Sequence, residues 1–240
     1  MKHSIFLDLM RRKQTSEAKK RMKQLAEDYG CKKIYDLNYC GDHNRNHLCD
    51  LYYPAGSEKK KLPVILEVHG GGFVTGSKIV NESHGLFYAS HGYKVVNINY
   101  TLHPEATFID EIRELFHAVH WIKSHSEQYA MDSEHICVSG DSAGVFLVLL
   151  LAAVQSSPEL QLYYQIEPLK NGFCGIAASC PCIDLRTILN SGKKIWKLKP
   201  PEIGSPGVFS ARYSVPCGQQ SFSKCQISLL YWSIVLSEEK

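Results

Sequence analysis

The residues in this chain best suited to covalent chemistry are Gly140-Asp141-Ser142-Ala143-Gly144. A serine hydroxyl is a weak nucleophile near neutral pH and needs a base within hydrogen-bond reach when it attacks a carbonyl. Glycines two residues to either side permit a sharp strand-to-helix turn. Such a turn lifts the serine Oγ clear of a sheet and lets the next backbone N–H, that of Ala143, face a developing oxyanion. Ser142 is therefore the candidate nucleophile. An isolated G-x-S-x-G also occurs as a plain glycine-bounded turn, so its flanks must decide. They read in the required order: His135–Ser139 is β-prone, and Val145–Val154 is an apolar run long enough for a buried helix.

A second motif points the same way. Val64–Val68 reads as a strand and runs into His69-Gly70-Gly71-Gly72-Phe73. Three consecutive residues without Cβ let backbone amides approach a ligand closely, and such amides are preorganised donors for developing negative charge. A triple glycine alone also serves as a flexible turn. Placed upstream of a serine elbow, it reads as an oxyanion loop.

With Asn99-Tyr100-Thr101-Leu102-His103-Pro104-Glu105, these segments resemble the α/β-hydrolase family, in particular the hormone-sensitive-lipase-like branch of carboxylesterases and acetyl esterases. The resemblance runs from about Tyr35 to Leu185. It implies an oxyanion hole from the amides of Gly71, Gly72 and Ala143, with Ser142 attacking a small acyl ester through an acyl-enzyme. His69 would brace the loop, with Gly70, Gly140, Asp141 and Gly144 in supporting positions. No metal or cofactor is called for.

In that family an acid and then a histidine follow the serine. Here the last of eleven histidines is His135, and the carboxylates after Cys182 are only Asp184, Glu202, Glu238 and Glu239. Asp184 resembles the end of the family's sixth strand and not the triad acid. The expectation is therefore a truncated scaffold whose sheet is incomplete at its C-terminal edge, with neither triad base nor acid assigned. Loss of the base would cost about 10⁶ in rate, or ~8 kcal/mol. The alternative function is a noncatalytic relic or binding module, and a peptidase or lipase is a third reading. His103, just after a strand, is a candidate substitute base, against which stands a loop histidine facing solvent.

The elements that must position these residues alternate: a hairpin over Lys32–Tyr53, a strand at Val64–Val68, a helix at His84–His91, a strand at Tyr93–Tyr100, a helix over Phe108–Tyr129, the elbow strand and helix, a loop around Pro158, and a strand at Phe173–Ser179. In the Phe108–Tyr129 helix, Ile109, Ile112, Leu115, Phe116, Val119 and Ile122 form a sheet-facing stripe, and His117, His120 and His125 are assigned to the same helix. The sum is an α/β fold with a mainly parallel, doubly wound sheet. Residues 1–33 are assigned to an N-terminal helical segment with its helix over Glu17–Tyr29, residues 34–185 to the hydrolase core, and residues 186–240 to a divergent tail. That tail carries a net charge of +5 and no family motif, and its 55 residues compare with roughly 60 for two strand–helix units.

Composition excludes several classes. A net charge of +3 from 27 basic and 24 acidic residues makes no case for nucleic-acid binding. No run approaches the ~18 apolar residues of a membrane span, and Met1–Met10 does not read as a secretory signal. A cytoplasmic protein with nine reduced cysteines is expected. Cys40, His43, His47 and Cys49 have spacings that zinc could accept, but Gly41, Asp42 and Asn44 suit a polar hairpin loop better. The expected partners are a small-molecule ester and, through an unpaired sheet edge, other copies of the chain.

Overall fold

The fold is organised around two short runs with no exposed face, in which even Glu67, Lys94 and Asn97 are buried. Leu62–Val68 and Lys94–Ile98 are buried nearly throughout, as strands covered by helices on both sides must be. The computed structural model describes residues 5–25 and 29–180, all within one compact unit.

Six strands are described: β1 (Cys31–Asn38), β2 (Leu48–Pro54), β3 (Leu62–Val68), β4 (Lys94–Ile98), β5 (Met131–Asp141) and β6 (Gly175–Ser179). They form one sheet in the order β1-β2-β4-β3-β5-β6. β1 and β2 make the expected antiparallel hairpin, and β2 pairs antiparallel with β4, whereas β4-β3, β3-β5 and β5-β6 are parallel. The sheet is thus mainly parallel with an antiparallel edge. The chain leaves β3 for β4 on one side and returns to β5 on the other. This reversal of strand order is a topological switch point, and α/β sheets generally bind ligands at the strand C-termini of such points.

The helices are α1 (Ile5–Leu25), α2 (Glu82–Ser90), α3 (Phe108–Ser124), α4 (Ala143–Ser156) and α5 (Pro158–Tyr164). α3 starts at a capping box in which Thr107 Oγ1 accepts from Asp110 N while the Asp110 carboxylate accepts from Thr107 N. Its stripe Ile112, Leu115, Phe116, Val119 and Ile122 is fully buried, and Ile109 is half-buried at the margin. Apolar on nearly every side, α4 buries Val145, Leu147, Val148, Leu151 and Val154.

Three expectations are corrected in detail. The N-terminal helix begins at Ile5 and not Glu17, because Ile5, Phe6 and Leu9 lie on its exposed surface and leave no inward apolar period to read. The Phe108–Tyr129 helix stops at Ser124, so His125 is its C-cap, stacked on Trp121 with ring centroids 4.6 Å apart. Pro158 does not mark a loop. It opens α5 at the first turn, where its missing N–H costs nothing, and Ser157 Oγ caps Leu160 N. The 186–240 tail, and any triad acid or base assigned beyond residue 180, lie outside the described residues.

Candidate active site

The pairing of β3 with β5 is what assembles the site. Their register sets Val68 opposite Gly140, so the residues that follow, His69-Gly70 and Asp141-Ser142, emerge side by side from neighbouring parallel strands. Two segments far apart in sequence thereby meet at one sheet end.

Ser142 sits at the turn from β5 into α4 with φ 48 and ψ −113, a conformation that L-residues other than glycine seldom adopt. The turn is held by Ser142 N–H donating to Ser179 O at 3.0 Å and Val145 N–H donating to Ser142 O at 3.1 Å. Glycine is required at its flanks for packing: a Cβ on Gly140 would come within 2.7 Å of the Gly144 backbone. The Ser142 side chain does not cap α4, whose first residue is Ala143, so the Ala143 amide lies at the positive end of the helix.

The glycine loop stands beside this turn. Gly71 has φ +125, its carbonyl accepts from Thr75 Oγ1 at 2.9 Å and Thr75 N at 3.1 Å, and any Cβ there would run into the Thr75 carbonyl. Gly72 has φ +62 and open space around it. Gly70 N–H donates to Asp141 Oδ1 at 2.7 Å, which fastens loop to turn. The same oxygen accepts from Asn81 Nδ2 at 2.8 Å, and Asn81 also donates to Glu67 Oε1 at 2.8 Å. Burial raises the Glu67 carboxyl pKa to about 7, with the Asp141 charge adding to the effect. Beneath the loop, the His69 ring is buried, stacks on Tyr100 at 4.5 Å, and has its pKa lowered by burial to about 4. Tyr100 Oη donates to His69 O at 2.8 Å. A neutral, immobilised imidazole of this kind packs against the loop.

The structure therefore joins the Gly140–Gly144 turn to the glycine loop, with Gly70 bonded to Asp141 and Gly144 packed on the His69 backbone, and Gly71 and Gly72 follow in that loop. It does not bring a histidine to the serine: among the described residues no hydrogen bond joins Ser142 Oγ to any ring nitrogen. His103 is half-buried, with Nδ1 3.3 Å from Ala106 O. The zinc alternative is not assembled either. Cys49 is fully buried within β2, His47 contacts Asp42 at 2.7 Å and Glu114 at 3.3 Å, and among the described residues no group of three His, Cys, Asp or Glu could hold a metal.

Sequence reasoning missed three contributors. Arg11, from α1, donates to Val74 O at 2.7 Å and His103 O at 2.9 Å and pairs with both oxygens of Glu105 at 2.9 Å. It clamps the glycine-loop segment to the Asn99–Glu105 segment, and nothing near Arg11 in sequence signals this. Asn81 was hidden between elements. Phe146 joins Phe73 and Phe108 in a cluster with centroids 4.9–5.7 Å apart, tying the glycine loop to α3 and α4.

A parallel-sheet switch point, a strained serine between strand and helix, and a glycine loop fastened beside it define the α/β-hydrolase fold. Known proteins agree with this assignment. Residues 49–194 match the BD-FAE family model, and the chain belongs to that family. It is similar to the putative alpha/beta hydrolase R526 of Acanthamoeba polyphaga mimivirus, 31% identical over 140 residues, covering 57% of this chain and 39% of the relative. It is also similar to the probable carboxylic ester hydrolase LipM of Mycobacterium tuberculosis, 33% identical over 129 residues, covering 52% and 30%. The chain thus spans less than half the length of these relatives. Among solved structures, esterase B of Lactobacillus rhamnosis inhibited by a C4-C4 SN3 tributyrin phosphonate superimposes with a TM-score of 0.64, 25% identity, and coverage of 75% of this chain and 60% of that one.

Proposed function

We propose that this chain carries a serine-dependent site for carboxylic esters, with Ser142 as nucleophile and the amides of Gly71, Gly72 and Ala143 as the oxyanion hole. The observation that carries the reading is the strained Ser142 turn bolted through Asp141 to the glycine loop. This arrangement holds donors beside a hydroxyl instead of letting them fluctuate. Attack of Ser142 Oγ on an ester carbonyl would place negative charge on the carbonyl oxygen, where the three amides stabilise it. Collapse would release the alcohol and leave an acyl-serine for water to cleave. His69 serves as a packed brace, since an imidazole with a pKa near 4 is a poor proton acceptor at neutral pH. Carboxylic esters are the substrate class in line with the carboxylic ester hydrolase relative, and the tributyrin phosphonate inhibitor of the L. rhamnosis enzyme favours small acyl groups among them.

A second reading rests on a specific observation. All eleven histidines precede Ser142, and among the described residues none is hydrogen-bonded to it. On that reading a polypeptide of these 240 residues binds esters without turning them over, because a serine with no base loses most of its rate. A fluorophosphonate separates the two. Stoichiometric capture that disappears in Ser142→Ala supports an activated serine, and absence of capture supports ester binding alone. The described sheet also ends in β6, which pairs only with β5 among the described strands, and self-association through that edge is the accompanying proposal.

A further inference from the structure

Away from the serine, two cysteines lie almost in contact. Cys137 is half-buried in β5, and Cys174 is exposed immediately before β6, where Gly175 is the register partner of Cys137. Their Sγ atoms are 3.4 Å apart, and Cys174 N–H donates to Ile136 O at 2.9 Å, so the backbones are already fixed side by side. A disulfide needs its sulfurs at about 2.05 Å. The sulfurs must therefore approach by a further ~1.4 Å for the bond to form.

We propose that Cys137 and Cys174 form a thiol-oxidation site that reacts with a hydroperoxide and closes to an intramolecular disulfide. The two sulfurs divide the work by exposure and charge. Cys174 is open to solvent, shares an S–H hydrogen bond with Cys137, and has His135 among its neighbouring charges, with Asp132 opposing. The Cys137 hydrogen bond, ahead of the other effects, brings its pKa down to about 7. His135 is itself held protonated more readily by Asp132, 2.8 Å from its ring nitrogen, with Glu134 adding to that effect. Cys137 is pushed the other way by the same hydrogen bond and by burial, so it stays a thiol. Exposed low-pKa thiolates beside a second cysteine are the ones that oxidise selectively.

The chemistry balances without any group from the ester site. The Cys174 thiolate attacks one peroxide oxygen, an S–O bond forms, the O–O bond breaks, and the alkoxide leaves as an alcohol on taking a proton from water. Cys137 Sγ then attacks the Cys174 sulfur, an S–S bond forms, the S–O bond breaks, and hydroxide leaves as water with the Cys137 proton. Two thiols lose two electrons and the peroxide gains them. The bridge would staple β6 to β5, the strand pair whose ends meet where Ser179 O holds the Ser142 amide.

The test uses the full chain, reduced and then exposed to hydrogen peroxide, with remaining thiols alkylated before mass spectrometry. The expected product has lost two hydrogens and gives a proteolytic fragment crosslinking Cys137 to Cys174. In Cys137→Ser, Cys174 should instead stop at a sulfenic acid that dimedone captures, and its alkylation midpoint should move above the value of about 7 expected with Cys137 present. In Cys174→Ser, Cys137 should remain reduced. Recovery of both thiols after peroxide, oxidation of Cys174 to a sulfinic acid with Cys137 intact, or pairing with another cysteine would overturn the proposal. The crosslinked fragment is read in the unmodified chain, so misfolding of a variant does not affect that result.

Discussion

Gly71 and Gly72 are neighbours with positive φ, yet substitution by alanine should affect them very differently. Gly72→Ala meets no atom within 4 Å, so its cost is that of a left-handed L-residue, about 1–2 kcal/mol, and the amide stays where it was. Gly71→Ala carries strain at φ +125 and also drives its methyl into the Thr75 carbonyl, which is fixed backbone. The turn closed by Thr75 N and Oγ1 on Gly71 O must then open, and the Gly71 amide moves with it. Loss of one oxyanion donor costs roughly 10²–10³ in rate. The assay is the second-order rate of fluorophosphonate capture at Ser142, with thermal melting run in parallel. Gly71→Ala should fall by about two orders of magnitude or more and Gly72→Ala by less than about tenfold. Equal rates for Gly71→Ala and the parent chain would refute the assignment of that amide.

Other parts of the site give separate tests. Glu67, with its pKa raised to about 7 from an ordinary value of 4.5, holds its proton more tightly folded than unfolded. Its stabilisation is therefore complete below pH ~4.5 and lost as pH rises through 7, to a total of about 3 kcal/mol. In chemical denaturation, the stability of the parent chain relative to Glu67→Gln should fall by that amount as pH rises from about 4.5 through 7, and a pH-independent difference would contradict it. His69 acts oppositely: neutral when folded, it loses stabilisation as pH falls from 6.5 towards 4, so Glu67→Gln should make acid destabilisation steeper. Arg11→Ala should cost about 2 kcal/mol and slow Ser142 capture, with no rescue by lysine, which cannot reproduce the planar fork; full rescue by Arg11→Lys would sink the clamp. Phe146→Ala removes one ring from the Phe73–Phe108–Phe146 cluster and should lower the unfolding free energy by roughly 2 kcal/mol, an unchanged melt being the contrary result.

Much of this arrangement is legible in the chain because local signals and long-range contacts agree there. The elbow strand, Ser142 and α4 are contiguous, and the glycines at 140 and 144 are fixed by packing that any fold of that turn would impose. The stripe of α3 announces its buried face directly. What escapes the sequence is carried by contacts without a period. α1 has exposed Ile5, Phe6 and Leu9, so its helix shows only in part, and Arg11 acts across more than ninety residues on Glu105. Asn81 precedes α2 with no cap of its own, and its purpose lies in joining Glu67 to Asp141. Phe146 makes sense only once Phe73 and Phe108 are beside it. Ser157-Pro158-Glu159 does signal the start of α5, but a proline after a long apolar helix suits a break equally well until Ser157 Oγ is seen on Leu160 N.

Ser142 is proposed as an activated nucleophile held against the Gly71-Gly72 amides. Fluorophosphonate labelling of the 240-residue chain, quantified by intact mass and located by peptide mapping, tests this directly. One label per chain is expected on Ser142, absent in Ser142→Ala and slowed in Gly71→Ala. A folded chain that takes up no label, or takes it up equally after Ser142→Ala, would contradict it.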